Sequence, residues 1–216
     1  MEYAVKDLVR EVRIVLDENG ISDALAELGD TDTLTLDEMI ESRLAPSATW
    51  VEEHAPHALL DRGDAFGDSI GWKSHEGNGM GWILLPKDFL RLVTFQMSDW
   101  SRAVTAPISE QDPRYAMQQS RYPGVRGNPQ KPVAAVVQQE AGKVLEFYSC
   151  AGGKGTHVKR ARYIPLPKIS DGKIKVCERL KDAAVYHAAY LTAAATGAAD
   201  KAASMLSAAK EMMEGV

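Results

Sequence analysis
The chain has 216 residues, 45% of them hydrophobic, enough to bury an ordinary core as one domain or as one domain carrying an insertion. No apolar run approaches the roughly 18 residues that span a bilayer, and Met1 to Asp7 lack a basic segment followed by an apolar one. The expectation is a chain made in the cytoplasm with no membrane partner. Cys150 and Cys177 have no metal-type spacing, which argues against a disulfide framework or structural zinc site and predicts two reduced thiols. The net charge of −5 hides an asymmetry: residues 1–70 hold 5 Lys and Arg against 17 Asp and Glu, a balance of −12, and residues 71–216 hold 20 against 13, a balance of +7. Opposite ends of the chain can attract each other, within a monomer or between neighbours.

The elements read as helices, then strands, then helices. Val5, Leu8, Val9, Val12, Val15 and Leu16 recur at three- and four-residue spacing and predict a first helix, with Asn19-Gly20 as its left-handed stop. Ala24 to Leu28 suggests a brief helical turn. Thr35 and Glu38 form a capping box ahead of an apolar stripe of Leu36, Met39, Ile40 and Leu44. Pro46 interrupts that helix, and a proline that removes a hydrogen bond and crowds the preceding turn predicts a kink or split near Ala45. Ala55 to Leu60 reads as a further short helical turn.

Six glycines between Gly63 and Gly81 make a connection into a β region. Trp82–Leu85 and Phe89–Met97 read as the two strands of a hairpin around Pro86-Lys87-Asp88. Strict alternation on the second strand puts Phe89, Arg91, Val93, Phe95 and Met97 on one face and Leu90, Leu92, Thr94, Gln96 and Ser98 on the other. Asp112-Pro113 opens a short helix through Gln118, because proline suits the first turn. Tyr122 to Pro132 is a loop, Val133–Gln138 and Val144–Cys150 are strands around Glu140 to Lys143, and Arg160–Ile164 is a last strand. Ile174–Val176 is too short to assign. Val176, Leu180, Ala184, His187, Leu191 and Ala194 then line one face of an alanine-rich helix, which Gly197 breaks or bends. Ala202, Met205, Leu206, Ala209, Met212 and Met213 define a final amphipathic helix. The fold class is α+β: a helical bundle from residues 1–62 and 176–216, with an antiparallel β region, residues 63–175, inserted into it.

The candidate chemical sites are thin. Cys150 to Thr156 resembles a phosphate-binding loop only superficially, because Lys154 is followed by Gly155 and a strand where a P-loop needs Ser or Thr and a helix, so a β-turn is the simpler reading. Glu53, His54 and His57 have ligand-like spacing, but Pro56 breaks the helical presentation and no third ligand is placed. His75-Glu76 has no partner that sequence can place, and His187 on an apolar face reads as a core histidine. No Ser-His-Asp or Cys-His arrangement has an enzyme signature, so no catalytic residue, cofactor or metal ligand is assigned. The basic stretch Lys154 to Tyr163 is the richest feature. With Lys159, Arg160, Arg162 and Tyr163 it suits phosphates and a stacked base. The acidity of the chain as a whole, with a pI of about 5.6, and the single aromatic in the cluster favour instead a protein contact, or a solvated edge strand whose lysines guard against unwanted pairing.

Order, more than any single motif, carries a resemblance. An N-terminal helix, Leu34-Thr-Leu-Asp-Glu-Met-Ile40, Ala55-Pro-His-Ala-Leu-Leu60, Leu85-Pro-Lys-Asp-Phe-Leu-Arg-Leu92, Trp100 and paired alanine-rich helices follow one another as in the podophage-type head–tail adaptors, including the ring proteins of crAss-like phages. The resemblance spans nearly the whole chain. It implies a structural virion protein, not an enzyme, that closes into a homo-oligomeric ring of about a dozen copies beneath a portal protein. It further implies a bundle at the DNA channel, packaged double-stranded DNA passing without sequence-specific binding, and a docking surface for tail or neck proteins. Lys159, Arg160 and Arg162 would then be the interface residues, meeting an acidic face of the next subunit. Pro46 and the long loop Tyr115 to Pro132 depart from the family pattern. The rival expectation is a small nucleic-acid-binding protein using Lys154 to Tyr163.

Overall fold
A computed structural model describes residues 1–16, 34–67, 69–73, 79–120, 122, 124–148, 150 and 155–214. The chain mixes helix and sheet in an α+β arrangement and divides into two compact units, one of Met1–Asp61 with Leu166–Val216 and one of Arg62–Pro165. The expected Asn19-Gly20 stop, the turn at Ala24 to Leu28, His75-Glu76 and Lys154 lie outside the described residues.

In the first unit, β1 (Glu2–Ala4) runs directly into α1 (Val5–Leu16), whose buried face is Val5, Leu8, Val9, Val12 and Leu16. Helix α2 (Leu36–His54) starts at the predicted capping box: Glu38 N–H donates to Thr35 Oγ1, and the Thr35 N–H donates back to Glu38 Oε2 at 2.8 Å. The split expected at Pro46 does not occur, and the helix runs unbroken through it. Leu36, Ile40, Leu44, Ala48 and Val51 form one buried stripe on both sides of the proline, and burial of that stripe offsets a proline cost of about 3 kcal/mol. A 3₁₀ turn, His57–Leu59, follows where a helical turn was expected.

The C-terminal part of this unit begins with strands that the sequence reading left out. Strands β10 (Ile169–Ser170) and β11 (Lys173–Lys175) make an antiparallel sheet with β1 in the order β1-β11-β10. Residues 173–175 thus pair with the N-terminal strand and 169–170 pair in turn with β11, and the compact β-rich unit runs from Arg62 to Pro165. Helix α4 (Lys181–Ala195) packs on α1, on α2 and on α5 (Ala199–Glu214). Its buried residues, Ala183, Ala184, Val185, His187, Ala188, Ala189, Thr192 and Ala193, cover a broad arc. The single expected stripe is therefore too narrow: Ala194 is exposed and Leu191 only half-buried, because α4 has neighbours on several sides and alanine lets each backbone come close. Gly197, at φ +79°, ends α4 in a Schellman turn, with Ala198 N–H donating to Ala193 O and Gly197 N–H to Ala194 O.

The second unit is built on two sheets. Strands β3 (Gly71–Trp72), β4 (Gly81–Leu84), β6 (Ile108–Ser109), β7 (Ala134–Gln139) and β8 (Gly142–Phe147) form a sheet of order β3-β4-β8-β7-β6, antiparallel except for the parallel β6–β7 pair. Strands β2 (Asp64–Ala65), β5 (Phe89–Met97) and β9 (Val158–Pro165) form a second of order β2-β9-β5. The short helix α3 (Pro113–Met117) is capped by Asp112, as its Asp-Pro start predicts.

The expected hairpin is a correction. Both strands exist, but β4 pairs with β3 and β8 while β5 pairs with β9, so Leu85 to Asp88 carries the chain from one sheet to the other. Both long edges of β4 are already taken, and Leu85 N–H continues the β8 ladder by donating to Lys143 O. The two sheets share one core of Ile83, Leu85, Leu92, Phe95, Met97, Trp100, Leu145, Phe147 and Ala161. Strict alternation on β5 also fails. Register shifts at Phe89/Arg91, Leu92/Thr94 and Gln96/Met97 turn Leu92 into the same core as Phe95 and Met97, since each bulge changes which face the next residue meets.

Candidate functional site
The cations singled out by sequence lie on β9, which is the central strand of its sheet and not an edge. The expected edge role does not hold at Arg162, where β9 is paired with both β2 and β5, whereas β2 ends short of Lys159 and Arg160. Arg160 sits opposite Gln96 and Arg162 opposite Thr94 on one flank, while Arg162 also faces Ala65 on the other. Two-residue spacing puts Arg160 and Arg162 on the same face. Lys159 and Arg160 are exposed, and Arg162 is half-buried with Nη1 donating to Gly63 O at 3.4 Å.

β2 can close against β9 because of Gly63. At φ +69° it holds its backbone so near Tyr163 that an added Cβ would lie 2.3 Å from the Tyr163 carbonyl oxygen. This approach brings Arg62, Phe66 and Gly67 alongside β9. The result is a groove of about 730 Å³ lined by Arg62, Lys159, Arg160 and Arg162, with Phe66, Val93, Val158 and Ala161 among its apolar lining and no carboxylate among the described lining residues. Among the described residues no ion pair engages these four cations. Guanidinium groups stay charged at any physiological pH. The groove can therefore hold an anion that also offers apolar surface.

Arg62 and Phe66 were missed by sequence reasoning, because only the pairing of a two-residue strand with β9 brings them there. Tyr163, expected to offer a stacking face, is instead buried. Its ring stacks on Phe89 at 5.8 Å, meets Phe66 edge-on at 5.9 Å, and its hydroxyl donates to Asp88 at 3.0 Å. Burial, then the bond to Asp88, pushes its pKa up to about 12.

A second cluster, invisible to sequence, surrounds Glu146 on the other face of β8 from Leu145 and Phe147. Glu146 is 2% exposed and accepts from Lys73 Nζ at 2.6 Å, Gln139 Nε2 at 3.1 Å, Tyr115 OH at 3.2 Å and Tyr148 OH. Burial alone would raise its pKa, but the bonds from Lys73 and Tyr148 outweigh burial and hold it below the ordinary glutamate value. Four donors fill a carboxylate's acceptor sites, so this group joins β7, β8, α3 and the residue after β3 without a lone pair left to act as a base.

The histidine candidates among the described residues, His54, His57 and His187, belong to the helical unit. α2 ends at His54, and Ala55, forced extended by the following proline, puts His57 on a separate turn. His54 Nδ1 pairs with Trp50 O, and Trp50 stacks on His187 with ring centres 4.2 Å apart and planes 8° from parallel. His187 is buried, its Nδ1 has no hydrogen-bond partner, and burial lowers its pKa to about 4. Among the described residues no group of three His, Cys, Asp or Glu could hold a metal ion, and no helix is long and apolar enough to cross a membrane. Cys150 and Cys177 are buried free thiols, and burial, then the Glu52 carboxylate, pushes Cys177 up to about 12. No family model matches the chain, and no curated protein matches it.

Proposed function
We propose that the chain is a structural virion protein, a head–tail adaptor that docks as a ring of about a dozen copies beneath a portal protein. On this reading α1, α2, α4 and α5 are the adaptor's helical bundle, set at the DNA channel, and Arg62–Pro165 is its β-rich insertion. The ring prolongs the channel for packaged double-stranded DNA and gives tail or neck proteins a docking surface. It needs no cofactor and performs no catalysis. One observation carries the reading: both ends of the chain contribute helices to a single unit, and a β-rich segment interrupts it, in the element order of the adaptors that the sequence resembles. Lys159, Arg160 and Arg162 serve as a contact to the next subunit, where a cationic face on one copy and an acidic face on its neighbour favour head-to-tail register over self-pairing.

The cationic groove favours a second reading, a nucleic-acid-binding protein, because four cations suit phosphates. Burial of Tyr163 weighs against it by removing the stacking face that single-strand binders use. Reversing Lys159, Arg160 and Arg162 to Glu separates the two. The adaptor reading predicts a folded monomer that no longer assembles on the portal. Lost oligonucleotide binding with intact assembly would overturn it in favour of the second reading.

A further inference from the structure
We propose that the groove of Arg62, Lys159, Arg160 and Arg162 is the docking site for the acidic stretch Asp17–Asp32 of a second copy of this chain. The inference rests on the ring reading, which requires two different surfaces on every subunit, and it names both of them. Residues 17–33 lie outside the described residues, and their sequence carries six carboxylates, at Asp17, Glu18, Asp23, Glu27, Asp30 and Asp32, with no Lys or Arg. The same stretch carries Ile21, Leu25 and Leu28. The groove is the complement in both respects, four cations beside an apolar lining of Phe66, Val93, Val158 and Ala161.

Several carboxylates elsewhere in the acidic part of the chain already have partners. Glu11 pairs with Lys181 at 2.8 Å, Asp37 with Arg13 at 2.8 Å and Asp61 with the α-amino group of Met1 at 3.3 Å. Glu38 is held in its capping box, and Glu52 is buried and accepts from Cys177 N–H. Half of the −12 balance of residues 1–70 sits in residues 17–33, whose six carboxylates have no Lys or Arg among them. Single-stranded nucleic acid is the weaker fit. Tyr163 is buried, and Phe66 is engaged edge-on with Tyr163 and stacked on Phe95, so no free ring is left to hold a base.

The test uses the full chain and a labelled synthetic peptide of residues 17–33, followed by fluorescence anisotropy at low chain concentration. Three recipients are compared: the unaltered chain, the chain with all six carboxylates of the stretch changed to Asn or Gln, and that neutralised chain with Lys159→Glu, Arg160→Glu and Arg162→Glu. The proposal predicts saturable one-to-one binding of equal affinity to the first two. Binding should weaken with added salt and fall by at least about tenfold in the third. Absence of binding to the neutralised chain, or binding indifferent to groove reversal, overturns the proposal. Binding to the unaltered chain at least about tenfold weaker than to the neutralised chain would show each stretch filling its own groove, and overturns the second copy as occupant. Tighter binding of a dT12 oligonucleotide, displacing the peptide, overturns it in favour of nucleic acid. Portal assembly is scored separately: rings without peptide binding sink this inference alone, and peptide binding without rings sinks the adaptor reading.

Discussion

Truncating Phe95 to Ala tests the shared core of the two sheets in the β-rich unit. Phe95 is fully buried, meets Trp100 edge-on with centres 5.4 Å apart, and lies 5.6 Å from Phe147 and 6.3 Å from Phe66. Its backbone is fixed on both sides, opposite Ala161 on β9 and by two 2.8 Å hydrogen bonds with Val104. A site clamped in this way cannot collapse far into the space the ring leaves, which places the loss in the upper part of the usual range of about 3–5 kcal/mol. Three aromatic contacts, each contributing up to about 1 kcal/mol beyond buried area, point the same way. Domain stability is only about 5–15 kcal/mol, so Phe95→Leu, expected to cost about 1–2 kcal/mol, is the companion variant if the alanine form does not fold. Trp72, Trp82 and Trp100 lie in the β-rich unit and Trp50 in the helical one. Tryptophan fluorescence during denaturant melting in a Trp50→Phe background therefore follows the β-rich unit. A loss below about 1 kcal/mol for Phe95→Ala would refute the claim that both sheets close on this ring.

Two further outcomes follow from buried titratable groups. Glu146→Ala should cost about 3–5 kcal/mol in the same melts by orphaning Lys73, Gln139, Tyr115 and Tyr148. Because its pKa is depressed in the folded state, the ionised carboxylate's contribution is complete above the ordinary glutamate value and lost as pH falls through the depressed one, so the gap between Glu146→Gln and the parent should narrow in acid. For His187 the folded pKa is lowered, mainly by burial, so its contribution is complete above the ordinary value of 6.5 and lost as pH falls to about 4. His187→Phe, which keeps the stack on Trp50, should flatten the melting profile of the helical unit in that window, and an unchanged profile would remove His187 as the cause of acid sensitivity.

Local signals were legible in the sequence, and long-range pairing was not. The Thr35–Glu38 box, the Asp112-Pro113 start and the Gly197 stop depend on residues within a few positions of one another, and each element begins or ends where those residues place it. Pairing of β1 with β11 joins residues about 170 apart through two three-residue strands, too short to carry a period. The apparent hairpin misled because adjacency in sequence favours pairing, whereas β4 and β5 each found better-matched partners in β8 and β9. Pro46 does not split its helix because the local penalty is outweighed by a buried stripe that continues past it. At the groove, Lys159, Arg160 and Arg162 were readable as a cluster, but Arg62 and Phe66 join them only through the approach that Gly63 permits, and the loss of Tyr163 as a stacking face follows from packing against Phe89 and Phe66.

Mixing the purified chain with the portal protein encoded in the same genome, and imaging the product by electron microscopy, addresses the adaptor reading most directly. The account predicts a chain that is largely monomeric alone and gains its ordering contacts on docking, seen as a closed ring of added density beneath the portal. A portal that stays bare at saturating chain concentration would contradict it.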